Sequence, residues 1–241
     1  MEKTDWFTDW FNTPYYHILY KDRNDDDAQL FMRNITEFLK LPKTSHILDI
    51  PCGKGRHSIF LNSLGYKVTG GDLSENSITF AKQFENESLS FNIHDMRKPF
   101  KNRYDAVFNL FTSFGYFVDD KEDIAVLKNI KEGLNSNGVF VLDFLNASKV
   151  KRNIIENEVK VVEGIEFKIH REIKNGFILK HISFKTEGKE HYFTERVKYL
   201  DETKLKNFFN CVDFSIKHVF GDYNLNTFDN QTSDRLILVA K

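Results

Sequence analysis

The sequence predicts an α/β protein, a doubly wound parallel sheet carrying an antiparallel β insertion. Three observations lead there. Short apolar runs alternate with helical stretches from residue 46 to residue 145. One of those runs leads straight into a glycine-containing turn and a helix, Ile47 to His57. Past about residue 150 the apolar period shortens to two, the period of a half-wet strand.

The elements follow in order. Residues 1 to 20 read as aromatic and irregular, ending in Tyr15-Tyr16-His17-Ile18-Leu19-Tyr20. Asp25-Asp26-Asp27 opens a helix whose Leu30, Phe31, Ile35, Phe38 and Leu39 share one face, and Pro42 closes it. Three acids at its start suit the cap and the positive end of the helix dipole. His46–Ile50 is a buried strand, followed by a helix through Leu64 that Gly65 stops. Lys67–Asp72 is the second strand, and Ser74 caps a helix to about Asn86. Leu89–His94 and Tyr104–Leu110 are the third and fourth strands. Asp119 to Leu134 is helical, ending near Asn137-Gly138, and Val139–Leu145 is the fifth strand.

In the insertion, Ile165, Phe167, Ile169 and Ile173 alternate with charged residues, as do Ile178, Ile182 and Phe184 further on. Asn175-Gly176 between them is a hairpin signal, and Gly188 separates a third run, Glu190–Leu200. A helix, Thr203–Asn210, precedes two closing strands, about Val212–Phe220 and Arg235–Ala240, that return to the main sheet. Residues 1–149 and 201–241 therefore form the expected ligand-binding domain, and residues 150–200 the insertion.

Composition narrows the function. Hydrophobic residues make up 41% of 241, with 24 Phe, enough for a sizeable core. Lys and Arg total 34 against 35 Asp and Glu, dispersed along the chain, and no basic stripe invites a nucleic acid. Two cysteines, Cys52 and Cys211, make neither a disulfide framework nor a zinc site, so no metal is expected. No leader pattern opens the sequence, and no apolar run approaches the ~18 residues that span a bilayer. The expectation is a cytoplasmic protein without a membrane partner.

The chemistry centres on Ile47-Leu-Asp-Ile-Pro-Cys-Gly-Lys-Gly-Arg-His57. Gly53 and Gly55 let a ligand approach the backbone at the carboxyl end of a strand. A dinucleotide site asks for a third glycine where Ser58 stands, and Asp49 is poor company for a diphosphate. An acid there suits a cationic ligand with an amino group and a sulfonium. Asp72 ends the second strand, where an acid accepts hydrogen bonds from ribose hydroxyls. Asp95, followed by Met96, ends the third strand and faces an adenine amine. Asn109-Leu110-Phe111 ends the fourth, beside the ligand's sulfur.

With these residues the sequence resembles the class I S-adenosyl-L-methionine (SAM) dependent methyltransferases, of the small-molecule type. The matching stretches are Leu48–His57, Val68-Thr-Gly-Gly-Asp-Leu-Ser74, His94-Asp-Met-Arg97, Tyr104–Leu110 and Asn135-Ser-Asn-Gly-Val-Phe140. The resemblance implies a Rossmann-like fold and SAM as cofactor, with S-adenosyl-L-homocysteine as product. It implies that Gly53 and Gly55 pack against the amino-acid portion, that Asp72 with Leu73 holds ribose, and that Asp95 with Met96 holds adenine. Asn109 would lie near the methionine chain, and Tyr16 and Tyr20 would fold over the cofactor. Two departures stand out. Pro51 replaces the family's first loop glycine, and Lys54 stands where a small hydroxyl residue is frequent.

The expected reaction moves a methyl group to N or O of a small-molecule acceptor. Phe111, Phe114, Tyr116, Arg196 and Tyr199 are the candidate acceptor contacts, and the insertion is the expected acceptor cap. Tyr116, His191 and Tyr199 are candidate bases. The competing readings are a non-catalytic SAM-binding or interaction module and an NAD-dependent oxidoreductase.

Overall fold

A computed structural model describes residues 6–21 and 25–241. Two short helices, α1 (Trp6–Phe11) and α2 (Pro14–Leu19), precede α3 (Asp25–Phe38). Then β1 (His46–Asp49), α4 (Arg56–Ser63), β2 (Lys67–Asp72), α5 (Glu75–Ala81), β3 (Leu89–Ile93), β4 (Tyr104–Asn109), α6 (Asp120–Glu132) and β5 (Leu134–Leu145) alternate. Helix α7 (Ala147–Arg152) leads into β6 (Asn157–Val162), β7 (Ile165–Lys174), β8 (Phe177–Thr186) and β9 (Lys189–Lys198). Helix α8 (Glu202–Asn210), β10 (Ile216–Phe220) and β11 (Arg235–Ala240) end the chain.

The main sheet has seven strands in the order β10-β11-β5-β4-β1-β2-β3. Strands β3, β2, β1, β4 and β5 run parallel, and β11 and β10 close the edge antiparallel. The chain leaves β1 toward β2 on one side and later returns to β4 on the other. That reversal opens a crevice at the carboxyl ends of β1 and β4, where a doubly wound sheet takes its ligand. Both faces are covered. Helices α6 and α8 bury Val126, Leu127, Ile130, Leu205 and Phe209 on one side. Helices α3, α4 and α5 bury Phe31, Ile35, Leu61 and Ile78 on the other. Among the described residues, no helix is long and apolar enough to cross a membrane.

The second sheet is four antiparallel strands in sequence order, β6-β7-β8-β9. Its three turns are Glu163-Gly164, Asn175-Gly176 and Glu187-Gly188, each with positive φ at both residues. That is the backbone a tight two-residue hairpin needs. Lys198, at the end of β9, ties this sheet to α6. Its ammonium lies 2.6 Å from the buried Asp123 carboxylate and 2.5 Å from Asp120. Burial still lifts the Asp123 carboxyl to about 6, against the pull of Lys198.

Three departures from the sequence expectation have local causes. Residues 6–20 of the N-terminal stretch are largely helical rather than irregular, and residues 1–5 of that expectation lie outside the described residues. Thr13 caps α2 by accepting the Tyr16 N–H at 3.2 Å, and Trp10 in α1 packs on Phe193 of β9 at 4.5 Å. Strand β5 begins at Leu134, before the expected Val139, because Tyr104 pairs with Leu134 and Ala106 with Val139 across a bulge. Strand β10 starts at Ile216 rather than Val212. The Phe214 N–H instead bonds the Phe209 carbonyl at 3.0 Å and closes α8.

Packing fixes one glycine within β2. A Cβ on Gly70 in β2 would lie 2.5 Å from the Phe91 ring and 2.9 Å from Cys52 Sγ. Gly70→Ala is therefore expected to destabilise by about 1–3 kcal/mol, the usual cost of overpacking. Thermal unfolding measures it, and the added substitution Phe91→Leu is expected to recover part of the loss.

Candidate functional site

Strand β1 delivers the chain to the crevice. The Cys52 N–H donates to Gly71 O at 2.8 Å, which continues the strand pairing into the turn. The two turn glycines then do different jobs. Gly55 (φ +82°) is the N-cap of α4, and a Cβ there would sit 2.6 Å from the Phe91 ring. Gly53 (φ +54°) has nothing among the described residues within 4 Å of where its Cβ would be. Gly53 is thus the position that leaves room for a ligand against the backbone, and Gly55 seats the helix.

The strand-end acids face different partners. Asp49 is 1% exposed and accepts the Ser58 hydroxyl at 2.6 Å. Burial, reinforced by the negative Asp72 nearby, lifts its carboxyl to about 7. Ser58 is the residue that replaces the third dinucleotide glycine, so it and Asp49 close the back of the turn together. Asp72 accepts the Gly53 N–H at 2.7 Å and the Ser74 N–H at 2.8 Å, one on each oxygen. Burial raises its carboxyl, and those N–H donors oppose the rise. Leu73 beside it is half-buried against the α6-side core.

Asp95 is clamped by Arg97, whose Nη2 lies 2.8 Å from Oδ2 and whose Nε lies 3.0 Å from Oδ1. Burial would raise the Asp95 carboxyl, but the Arg97 hydrogen bonds and charge hold it below the usual range. Arg97 also bonds Glu122 on α6 at 2.8 Å and lies over the Phe117 ring. Met96 is buried, and its carbonyl accepts from Asn129 at 3.2 Å. Asn109 is fully buried. Its Nδ2 donates to Ser113 O at 3.4 Å, and its Oδ1 has no hydrogen-bond partner among the described residues. A buried amide oxygen without a donor is costly unless something else supplies one.

The aromatic loop after β4 splits between the two faces of the sheet. Phe111 stacks on His57 at 4.5 Å and belongs with the α3–α4 side. Phe114 is 0% exposed within the α6-side core. Tyr116 turns toward α1, with its ring 5.3 Å from Trp6 and 6.0 Å from Phe11, and its hydroxyl donates to Thr112 O at 2.8 Å. Tyr16 continues this cluster at 4.7 Å from Phe11. The Tyr20 hydroxyl lies 2.6 Å from Glu195 Oε1 and 2.5 Å from Lys180 Nζ, which fastens α2 to the second sheet.

The remaining candidates sit on β9 of that sheet or, for Tyr199, just past its end. His191 stacks on Phe184 at 4.8 Å and packs against Tyr15 at 5.0 Å. Arg196 lies over the Phe177 ring at 5.3 Å. Tyr199 bonds Gly176 O through its N–H at 2.8 Å, with the ammonium groups of Lys151 and Lys204 within 6 Å of its ring. The strand-end set and Tyr116 thus gather at one end of the main sheet, while His191 and Arg196 lie on β9 and Tyr199 just past its end.

Sequence reasoning assigned no role to four residues at this end: Asn12, Ser58, Arg97 and Asp143. Asn12, between α1 and α2, accepts the Ser74 hydroxyl at 2.5 Å and so brings the N-terminal segment over the end of β2. Asp143 was the legible one, an acid in the middle of an apolar strand that must find a buried partner. The raised Asp49 carboxyl has a consequence for stability. Between the unfolded value of about 3.9 and about 7 in the fold, the folded chain keeps a proton that the unfolded chain has lost. This contribution to stability therefore falls as pH rises through that window and levels off above it. Asp49→Asn, which can still accept from Ser58, is expected to gain stability relative to the wild type from about pH 4 to about pH 7. Urea unfolding across that range measures it, and a gap independent of pH contradicts the assignment.

Comparison with known proteins places the chain in a family. The family model described as "Tellurite resistance protein TehB" matches residues 15–163. The probable SAM-dependent methyltransferase TehB of Haemophilus influenzae (strain ATCC 51907 / DSM 11121 / KW20 / Rd) is 30% identical over 141 residues, 57% of this chain and 43% of that protein. A dTDP-3-amino-3,4,6-trideoxy-alpha-D-glucopyranose N,N-dimethyltransferase of Streptomyces venezuelae is 28% identical over 131 residues, 53% of this chain and 54% of that one. The chain thus spans about half the length of the curated relatives it matches. A SAM-dependent methyltransferase from Clostridium acetobutylicum ATCC 824 superimposes with a TM-score of 0.79 at 16% identity, covering 94% of this chain and 95% of that one, which establishes the shared fold. The chain belongs to the TehB family, within the Rossmann-like class I SAM-dependent methyltransferases.

Proposed function

We propose that the protein binds SAM across the carboxyl ends of β1 to β4 and methylates an amine nitrogen of a small molecule. One observation carries the reading. Gly53 leaves open space at a left-handed turn, and the Asp72 carboxylate already holds the Gly53 N–H beside it. The buried, unpartnered Asn109 Oδ1 at the next strand end fits a ligand that brings its own N–H donor. The choice of nitrogen over oxygen rests on the Streptomyces relative, named as an amino-sugar N,N-dimethyltransferase.

SAM bound there supplies an electrophilic methyl on a sulfonium and departs as a neutral thioether. In this reading Gly53 seats the amino-acid end, Asp72 takes the ribose hydroxyls, and Asp95 and Met96 flank the adenine. Asp95 stays ionised under the Arg97 clamp, so it remains an acceptor for an amine proton. Asn109 Oδ1 accepts an N–H from the methionine chain or the incoming amine. Residues Trp6, Phe11, Tyr16 and Tyr116 exclude water from the reacting end, and their ring faces favour a developing positive charge. The protein's work is then proximity, orientation and dryness. The amine reacts in its neutral form, and the ammonium formed with the C–N bond gives its proton to solvent water afterwards, so the bond-forming step requires no fixed base. The second sheet with the N-terminal helices serves as the cap on the acceptor side.

S-adenosyl-homocysteine at a hundredfold over its Kd is expected to stabilise the protein by about 2.7 kcal/mol, with NAD giving no shift. Asp72→Ala is expected to weaken that binding at least tenfold, about 1.4 kcal/mol. Transfer of labelled methyl from SAM is then measured on small amines, beginning with a dTDP-amino sugar. Methyl on nitrogen supports the reading, methyl on a hydroxyl overturns the choice of atom, and tight binding without transfer to any acceptor favours the non-catalytic module.

A further inference from the structure

Asp143 and Arg235 lie on the neighbouring strands β5 and β11, outside the residues so far assigned to ligand. The Asp143 side chain is fully buried and that of Arg235 is 18% exposed, with Nε 2.7 Å from Oδ1. A buried ion pair seldom stabilises a fold more than apolar residues of the same size, so its presence asks for another account. Its remaining hydrogen bonds supply one. The Phe111 N–H donates to Asp143 Oδ2 at 2.8 Å, and the Thr112 N–H donates to the Asp143 carbonyl at 3.0 Å. Arg235 Nη2 donates to Thr112 Oγ1 at 3.0 Å, and the Tyr223 hydroxyl lies 3.4 Å from Asp143 Oδ2.

The two residues held this way are strained. Phe111 has φ +57° and Thr112 has φ +63°, the left-handed region that a β-branched residue rarely enters. Such a conformation persists only where its surroundings over-determine it. What the strain positions is visible on either side. The Phe111 ring lies against His57 at the first turn of α4, and Thr112 O receives the Tyr116 hydroxyl that sits under Trp6.

We propose that Asp143 and Arg235 are positioning residues that hold Phe111 and Thr112 left-handed and so set the Tyr116 wall of the acceptor site. The assignment of that wall rests on the function proposed above, while the clamp itself can be tested without it. Both residues act through the loop.

The test compares Asp143→Asn with Arg235→Lys, which keeps the charge but loses the two-pronged fork, each with and without Thr112→Gly. Trp6 and Trp10 are the two tryptophans of the chain, so a Trp10→Phe background lets Trp6 emission and its acrylamide quenching report on Tyr116 and the loop. Both single variants are expected to increase Trp6 quenching. They are also expected to lower kcat/KM for the amine by about 10²-fold, the scale of a small misplacement, with S-adenosyl-homocysteine affinity changed less than about threefold, a shift under 0.7 kcal/mol. Glycine at 112 tolerates the positive φ and is expected to recover part of the turnover without recovering the Tm. Unchanged Trp6 quenching overturns the clamp. Turnover, affinity and Tm falling together without glycine rescue leave only a structural role and also overturn it. If the wild type neither binds S-adenosyl-homocysteine nor transfers methyl, the functional reading fails, and Trp6 quenching still decides the clamp.

Discussion

The Phe91 ring is the wedge on which the ligand end of this molecule depends. It stands on β3 and fills the space that Cβ atoms on Gly55 and Gly70 would otherwise occupy, with Cys52 packed beside it. Three consecutive elements, the turn after β1, the strand β2 and the helix α4, are thereby pressed to a fixed separation. Beside that wedge the Asp72 carboxylate accepts the Gly53 N–H, and Gly53 presents bare backbone to the crevice. The glycines of the turn are thus not interchangeable. One is demanded by internal packing, and the other is left free by it.

The second sheet extends the same logic outward. Its buried face carries Phe167, Phe184, Ile169 and Ile182, which need a cover. Helices α1 and α2 supply it with Trp10 and Leu19 while Phe7 reaches the main core. A six-residue helix has no stability of its own in water. Its place is fixed by aromatic packing, by Trp10 Nε1 donating to Glu195 at 2.7 Å, and by the Tyr20 contacts. The N-terminal segment is therefore held between two sheets, over the end of β2 and against Tyr116.

Much of this was legible in the sequence. The first four parallel strands, the glycine turn, the Ser74 cap and the Asn175-Gly176 hairpin all follow from local chemistry and stand where that chemistry puts them, while β5 starts at Leu134, ahead of its apolar run. What escaped depends on partners distant in sequence. The helices before residue 20 form because Phe193 and Glu195 wait for Trp10. The Arg97 clamp on Asp95 needs the side chain to fold back, although Arg97 stands within a motif the sequence displayed. The division of Phe111 and Phe114 between two faces follows from two successive left-handed residues, which neither phenylalanine nor threonine announces. Asp143 was visible as an acid in an apolar strand, and its purpose becomes clear only with Arg235 from the far end of the chain beside it.

The central claim is that one crevice, bounded by Gly53, Asp72, Asp95 and Asn109, holds the methyl donor. A crystal structure with S-adenosyl-homocysteine tests it most directly. The account predicts the homocysteine end against Gly53, the ribose hydroxyls on Asp72, the adenine between Asp95 and Met96, and a new donor on Asn109 Oδ1. A ligand seated elsewhere, or in this crevice with Asp72 facing no hydroxyl, would contradict it.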